Sequence, residues 1–279
     1  YMQARVFVLE ETFLRSVMPG SKFLDSSISR DLFKSVSYFV DSKGPHFYPG
    51  ITTSIEHFLN SDEKVSAKEL IRCKSLIKKI VDNKLSKYNC QPIKQPDLPK
   101  FNGERVLVID QAYRDFSVAI SGGIDESFAE ILNAAIKENP NVQIIVKTHV
   151  DQASAATYFT KMKLPKNVVF YNQEINPTSI IECVNKVYVY SSTVGWEALL
   201  AGKEVHVFGS PIYAGWGLTN DRRSFKARRI NSRTLEELFY FIYIKCSVYI
   251  NPKTEKIVEI EEALDFLIEQ RNSYFKGAK

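Results

Sequence analysis

Short apolar runs alternate with amphipathic stretches along the chain, and the alternation becomes regular after residue 100. Residues 106–109, 143–147, 168–171, 187–190 and 204–208 are runs dominated by Val, Ile, Leu, Tyr and Phe. They are too short for helices and carry no strict polar alternation, which predicts strands buried on both faces of a parallel sheet. Helical spacing appears between them, over about 126–137, 177–185 and 194–201. The pattern is that of an α/β fold, with helices covering both faces of the sheet. Before residue 100 it is less regular. A strand is expected at 6–9 and helices at about 51–60 and 66–88, the second carrying Leu70, Ile71, Ile77, Ile80, Val81 and Leu85 on one side. Two further helices are expected at 234–245 and 258–271. No internal repeat or low-complexity tract interrupts the chain.

The two halves meet at Gln91-Pro92-Ile93-Lys94-Gln95-Pro96-Asp97-Leu98-Pro99, where three prolines favour an extended linker over a helix. This divides the chain into an N-terminal domain at 1–100, a second domain at 101–225 and a C-terminal helical segment at 226–279 that is expected to pack back on the first.

Composition narrows the function classes. At 44% hydrophobic and 25% charged residues, the 279-residue chain is unlike a disordered polyelectrolyte. No apolar run reaches the roughly 20 residues a spanning helix needs. The opening Tyr1-Met2-Gln3-Ala4-Arg5 leads straight into a strand, so no secretory signal is expected and the location is expected to be cytoplasmic. The net charge of +5 fits a solvated surface, or attraction to an anionic substrate or an acidic membrane surface. Nucleic acid is not an expected partner. Cys73, Cys90, Cys183 and Cys246 share no C-x-x-C spacing. His46, His57, His149 and His206 form no ligand pair, so neither a disulfide framework nor a metal site is expected.

In an open parallel sheet, ligands bind beyond the carboxyl ends of the strands. The residues expected there are Glu10-Glu11, Asp110-Gln111, Thr148-His149, Ser191-Ser192-Thr193 and Gly209-Ser210-Pro211. Carboxylates, an imidazole and a hydroxyl cluster at one edge form a chemical set that a purely structural sheet does not need. In Ser191-Ser192-Thr193-Val194-Gly195-Trp196-Glu197 one hydroxyl is expected to cap a helix. The helix end then offers free N–H groups to a phosphate. Gly195 leaves room for close approach, and Glu197 is free to accept hydrogen bonds from a ribose. An ordinary capped helix is the plainer reading of the same residues. The loop from Gly209 to Gly217 is either packed by its own Tyr213 and Trp216 or acts as a lid. No Asp-x-Asp occurs, which points to a metal-independent transferase whose leaving group needs little help, such as a nucleoside monophosphate.

Several blocks carry a resemblance. Leu9-Glu10-Glu11-Thr12-Phe13-Leu14-Arg15-Ser16 resembles the E-D-G-F-L-R-S opening of the bacterial capsule-polysaccharide β-Kdo transferases. Residues 106–111 (VLVIDQ) and 145–151 (IVKTHVD) resemble two further blocks. Residues 195–203 (GWEALLAGK) and 208–222 (FGSPIYAGWGLTNDR) resemble the family's G-F-E-A-L-L-A-G-K-P-V and its long YAGWGLT signature. The resemblance implies a GT-B fold, with two Rossmann-like domains facing across a cleft. It implies a retaining transfer of the keto-acid sugar Kdo from CMP-Kdo to a glycan or glycolipid acceptor, without a metal or other cofactor. By the same match, Asp110 is the nucleophile that forms a covalent Kdo adduct, Glu10 the acid/base, and His149 an aid to CMP departure. Ser191, Ser192, Thr193, Gly195, Glu197 and Gln111 hold the nucleotide. Arg15 and Lys147 are candidates for the sugar carboxylate.

Three departures bear on this. Thr12 stands where the family has glycine, Val150 follows His149 where it has proline, and the first half is short for a Rossmann-like domain. Two other readings compete: an inverting sialyltransferase-like enzyme using a different CMP-activated sugar, and a non-catalytic module that binds anionic polysaccharide.

Overall fold

The computed structural model describes residues 6–113, 115–149, 158–159, 164–225 and 227–277. Residues 1–5 at the chain start, and Val150 and Asp151 of the third resemblance block, lie outside them. In chain order the elements are β1 (Val8–Glu11), β2 (Ser37–Asp41), α1 (Ser54–Leu59), α2 (Ala67–Asp82), β3 (Arg105–Ile109), α3 (Phe116–Ile120), α4 (Asp125–Glu138), β4 (Gln143–Lys147) and β5 (Val168–Tyr171). There follow α5 (Pro177–Ile181), β6 (Lys186–Val189), α6 (Thr193–Leu200), β7 (Glu204–Val207), β8 (Asn220–Asp221), α7 (Leu235–Phe239), β9 (Ser247–Asn251), β10 (Lys256–Val258) and α8 (Ile260–Gly277). A π-helical turn, Tyr240–Lys245, continues α7. The chain forms two compact units, one of residues 1–46, 50–91 and 233–279, the other of 47–49 and 92–232.

The second unit carries a six-stranded parallel sheet in the order β5-β4-β3-β6-β7-β8. Strands β3 and β4 are buried almost throughout, which is why they read as continuous apolar runs. Helix α4 lays Phe128, Ile131, Leu132 and Ala135 on Val106, Val108, Ile144 and Val146. Burying each large side chain is worth roughly 1.5–3 kcal/mol. From β3 the chain winds to β4 and β5 on one side, then returns to β6, β7 and β8 on the other. The winding reverses between β3 and β6, and that is where an open sheet leaves a crevice at its carboxyl edge.

The first unit departs from expectation. Its sheet, β1-β2-β9-β10, is antiparallel at every junction, so the expected parallel Rossmann-like sheet is not what this half forms. The reason is local. Ser37-Tyr38-Phe39-Val40-Asp41 alternates buried and more exposed positions, the signature of a strand with one face on the core. Its neighbours are β1 and a strand from the C-terminal segment. The segment after residue 233 therefore supplies this unit with β9 and β10 as well as helices. Glu10 and Glu11 lie inside β1, not beyond its end. In α2 the buried stripe is Cys73, Leu76 and Ile80, while Ile71 is 69% exposed. Thr12 is accommodated where the family has glycine: its hydroxyl bonds to that of Ser37 and accepts the Leu14 N–H at 3.3 Å.

Candidate active site

Two strand ends flank the crevice of the second unit. Asp110 follows β3, is 1% exposed, and continues the ladder by donating its N–H to the Lys147 carbonyl at 3.0 Å. Its Oδ1 accepts the N–H of Gln111 at 3.0 Å, which fixes the carboxylate against its own backbone. Lys147 ends β4, in register with Ile109. It is buried and donates to the Thr148 carbonyl at 2.7 Å. Burial pushes its ammonium down to about 8, while the negative charges of Glu174 and Asp110 oppose the shift. Asp110 and Lys147 are thus brought together as a buried carboxylate and an ammonium of reduced basicity. His149 lies two residues beyond β4, half-buried on the same edge.

Gln111 reaches across the reversal point. Its Oε1 accepts the Ser191 N–H at 2.9 Å, and its Nε2 donates to Ser191 Oγ at 3.4 Å. This ties the loop after β3 to the loop after β6. Ser192 is the cap of α6, its Oγ accepting the Val194 N–H at 3.2 Å. Thr193 is the first helical residue. The N-terminus of α6, with the partial positive charge and donors that suit an anion, therefore opens beside Asp110 and Gln111.

The packing changes two of the roles expected from the sequence. Gly195 is closed over by protein. A Cβ there would stand 2.9 Å from Val189 Cγ2 and 3.1 Å from Tyr213 Cζ, closer still to the Tyr213 hydroxyl. That hydroxyl donates to the Ser192 carbonyl at 2.6 Å. The glycine admits Tyr213, which in turn holds the cap. Tyr213 and Trp216 are fully buried, and Trp216 Nε1 donates to the Ile212 carbonyl at 2.7 Å. The glycine-rich loop is packed by its own aromatics and is not a lid. Glu197 is buried, 7% exposed, and its charge helps raise the buried Tyr213 hydroxyl well above its usual pKa, second to burial and Asp221.

Glu10 and Arg15 belong to the first unit. Glu10 is 23% exposed, and burial raises its carboxyl above the usual range, opposed by Lys87 and aided by Glu11. Arg15 is engaged locally: Nε meets Glu11 at 2.5 Å, and Nη1 donates to Ser16 Oγ at 2.9 Å and the Met18 carbonyl at 3.0 Å. It pins the turn after β1. Sequence reasoning missed His46, whose Nδ1 lies 3.5 Å from Glu10 Oε2, and Glu174 beside Lys147. Neither sits in a motif, and the apolar run of β2, the strand that places His46, is only three residues long, Tyr38-Phe39-Val40. Among the described residues no cluster of three or more His, Cys, Asp or Glu side chains has the makings of a metal site. No helix among them is long and apolar enough to cross a membrane.

Known proteins are similar to this chain in structure or in sequence. The chain is similar to the Thermosulfurimonas dismutans KpsC beta Kdo 2,4 transferase, with 34% identity, a TM-score of 0.82, and coverage of 94% of this chain and 79% of that one. The beta Kdo 2,7 transferase of the same KpsC matches in fold, with a TM-score of 0.72 at 24% identity over 96% of this chain and 78% of that one. The capsule polysaccharide modification protein LipA of Neisseria meningitidis is 30% identical over 99% of this chain, which spans 40% of LipA. The lipopolysaccharide-processing protein LpsZ of Rhizobium meliloti is 30% identical over 95% of this chain and 59% of its own length. The sequence profile of the capsule polysaccharide biosynthesis proteins matches residues 51–251. The chain belongs to the capsule polysaccharide biosynthesis protein family.

Proposed function

We propose that this chain is a retaining glycosyltransferase that moves Kdo from CMP-Kdo to a glycan or glycolipid acceptor in the building of a bacterial surface polysaccharide. The observation that carries this reading is the buried Asp110 carboxylate at the reversal point of the parallel sheet, tied through Gln111 to the N-terminus of α6. Likeness to a solved beta Kdo 2,4 transferase across nearly the whole chain supports it.

In the first displacement, an Asp110 oxygen attacks the anomeric carbon of Kdo. The bond from that carbon to the CMP phosphate oxygen breaks, and CMP leaves with the electron pair. The N–H groups of α6 stabilise the phosphate, and His149 assists its departure. In the second displacement, the acceptor hydroxyl attacks the same carbon. Its proton passes to Glu10 and the bond to Asp110 breaks. Two inversions give net retention. Lys147 faces the sugar carboxylate, Gln111 and Ser191 to Thr193 line the nucleotide, and Glu197 reads the ribose. The reading includes a metal-free site and peripheral work at the cytoplasmic face of the inner membrane. An assay of CMP-Kdo with Kdo-terminated and other acceptors, read by mass and by the NMR anomer of the product, tests it. A β-linked Kdo product is expected. An inverted product would favour the sialyltransferase-like alternative, and no CMP binding would favour a non-catalytic module.

A further inference from the structure

Within the first unit, His46 stands against Glu10. Strands β1 and β2 pair Glu10 with Phe39, and the chain leaving β2 at Asp41 brings His46 back over them. His46 Nδ1 is 3.5 Å from Glu10 Oε2. The ring is held by two others: Phe39 at 5.0 Å and 59°, and Phe13 edge-on at 5.9 Å and 84°. Burial and the positive charge of Lys87 drive the imidazole down to about 3, so it is neutral at any working pH. A neutral ring facing a carboxylate offers a hydrogen-bond donor where a charged one would offer an ion pair. An all-carbon ring would fill this aromatic slot equally well. The part that packing leaves unexplained is the nitrogen turned toward Glu10.

The surrounding charges are committed elsewhere or named already. Glu11 raises Glu10 and Lys87 lowers it. Asp41 accepts from the Lys43 and Ser54 N–H groups, each at 2.7 Å, and Lys245 Nζ sits 2.5 Å from both Glu63 oxygens. Glu10 and His46 both line one cavity of about 260 Å³, so the carboxylate faces space that a ligand can enter. That is below the roughly 300–1,000 Å³ of drug-sized pockets and suits a single sugar unit.

We propose that His46 is the positioning residue of Glu10: its neutral imidazole, clamped between Phe13 and Phe39, stands 3.5 Å from the carboxylate, longer than a formed hydrogen bond, and closes to donate Nδ1–H when the carboxylate is ionised, holding it toward the cavity. This rests on the reading of Glu10 as the acid/base. A donor to the ionised form favours that form. Its loss therefore raises the pH at which Glu10 becomes a competent base.

The test uses the full chain with His46→Phe, which keeps the aromatic packing, and His46→Gln, which restores an N–H donor. His46→Phe is expected to lower kcat at least 10-fold, with donor KM unchanged and the acid limb of the kcat profile moved to higher pH. His46→Gln is expected to recover part of both. Wild-type kcat and profile in His46→Phe, or a loss of kcat with an unmoved profile, overturns the proposal. The tautomer tests it without a variant: ¹⁵N NMR of the wild-type chain should find the His46 proton on Nδ1, and a proton on Nε2 overturns it. Glu10→Gln separates the two levels. If it transfers at the wild-type rate, the reading of Glu10 fails and this proposal with it. If it is inactive while His46→Phe is normal, the role of His46 alone fails.

Discussion

Gly195→Ala separates two roles for the first turn of α6. A Cβ at this position meets Val189 Cγ2 at 2.9 Å and the ring of Tyr213, whose side chain is fully buried and bonded to the cap carbonyl. Neither neighbour is the loose end of an exposed side chain. Overpacking of this kind costs about 1–3 kcal/mol. Displacing the Tyr213 hydroxyl from the Ser192 carbonyl adds about 1 kcal/mol. At about 2–4 °C per kcal/mol for chains of this size, the melting temperature should fall by roughly 5–15 °C. The assay is thermal unfolding with and without CMP, followed by calorimetric CMP titration at a temperature where the variant is folded. Adding Tyr213→Phe removes the atom that crowds the new methyl group most and should recover part of the loss, because the two sites share one contact. A variant that melts with wild type but binds CMP tenfold more weakly would refute the packing argument and return Gly195 to the role of a ligand-approach residue.

Other expectations follow from the same edge of the sheet. Lys147 is depressed to about 8 in the folded chain against about 10.4 unfolded, so between those values the unfolded state binds more protons and this group makes stability rise with pH. Lys147→Met should abolish that rise, on the order of 3 kcal/mol, when urea midpoints at pH 7.5 and 10 are compared with wild type; an unchanged pH dependence would refute it. Glu197→Ala should weaken CMP about 10- to 100-fold and bind CMP and 2′,3′-dideoxy-CMP alike, whereas wild type loses affinity for the dideoxy compound. Equal discrimination by both proteins would move the ribose contact elsewhere. Transfer should survive saturating EDTA, and loss of activity restored by Mg²⁺ or Mn²⁺ would contradict the metal-free reading.

The second unit is legible in the sequence because its central strands are buried on both faces and its edge strand β5, though Phe170 is 40% exposed, is still a continuous apolar run. Residues 143–147 and 168–171 read as strands by apolarity alone, and the reversal of winding brings Asp110 and Ser191 to adjoining strand ends. A hydroxyl cap follows from three hydroxyls before a helix, though which of them caps it, Ser192, does not. The first unit is not legible, for the converse reason. Its sheet joins β2 to β9, more than 200 residues away, and no local period announces such a pairing. Tyr38-Phe39-Val40 and Val248-Tyr249-Ile250 are apolar runs of only three residues with nothing local to pair them, and Glu10 reads as the end of a strand when it lies within one. His46 escapes for the same cause, since its meaning depends on β2. Gly195 misleads because the residue that needs its space, Tyr213, comes eighteen positions later.

The central claim is that Asp110 carries the sugar between two displacements. Mass spectrometry of the Glu10→Gln variant mixed with CMP-Kdo and quenched in acid tests it most directly, because loss of the base should let the first displacement outrun the second. The account predicts that the tryptic peptide of residues 106–114 gains one Kdo residue, that fragmentation places it on Asp110, and that Asp110→Asn in the same background abolishes the gain. An unmodified peptide under conditions where CMP is released, or a Kdo group on any other side chain, would contradict it.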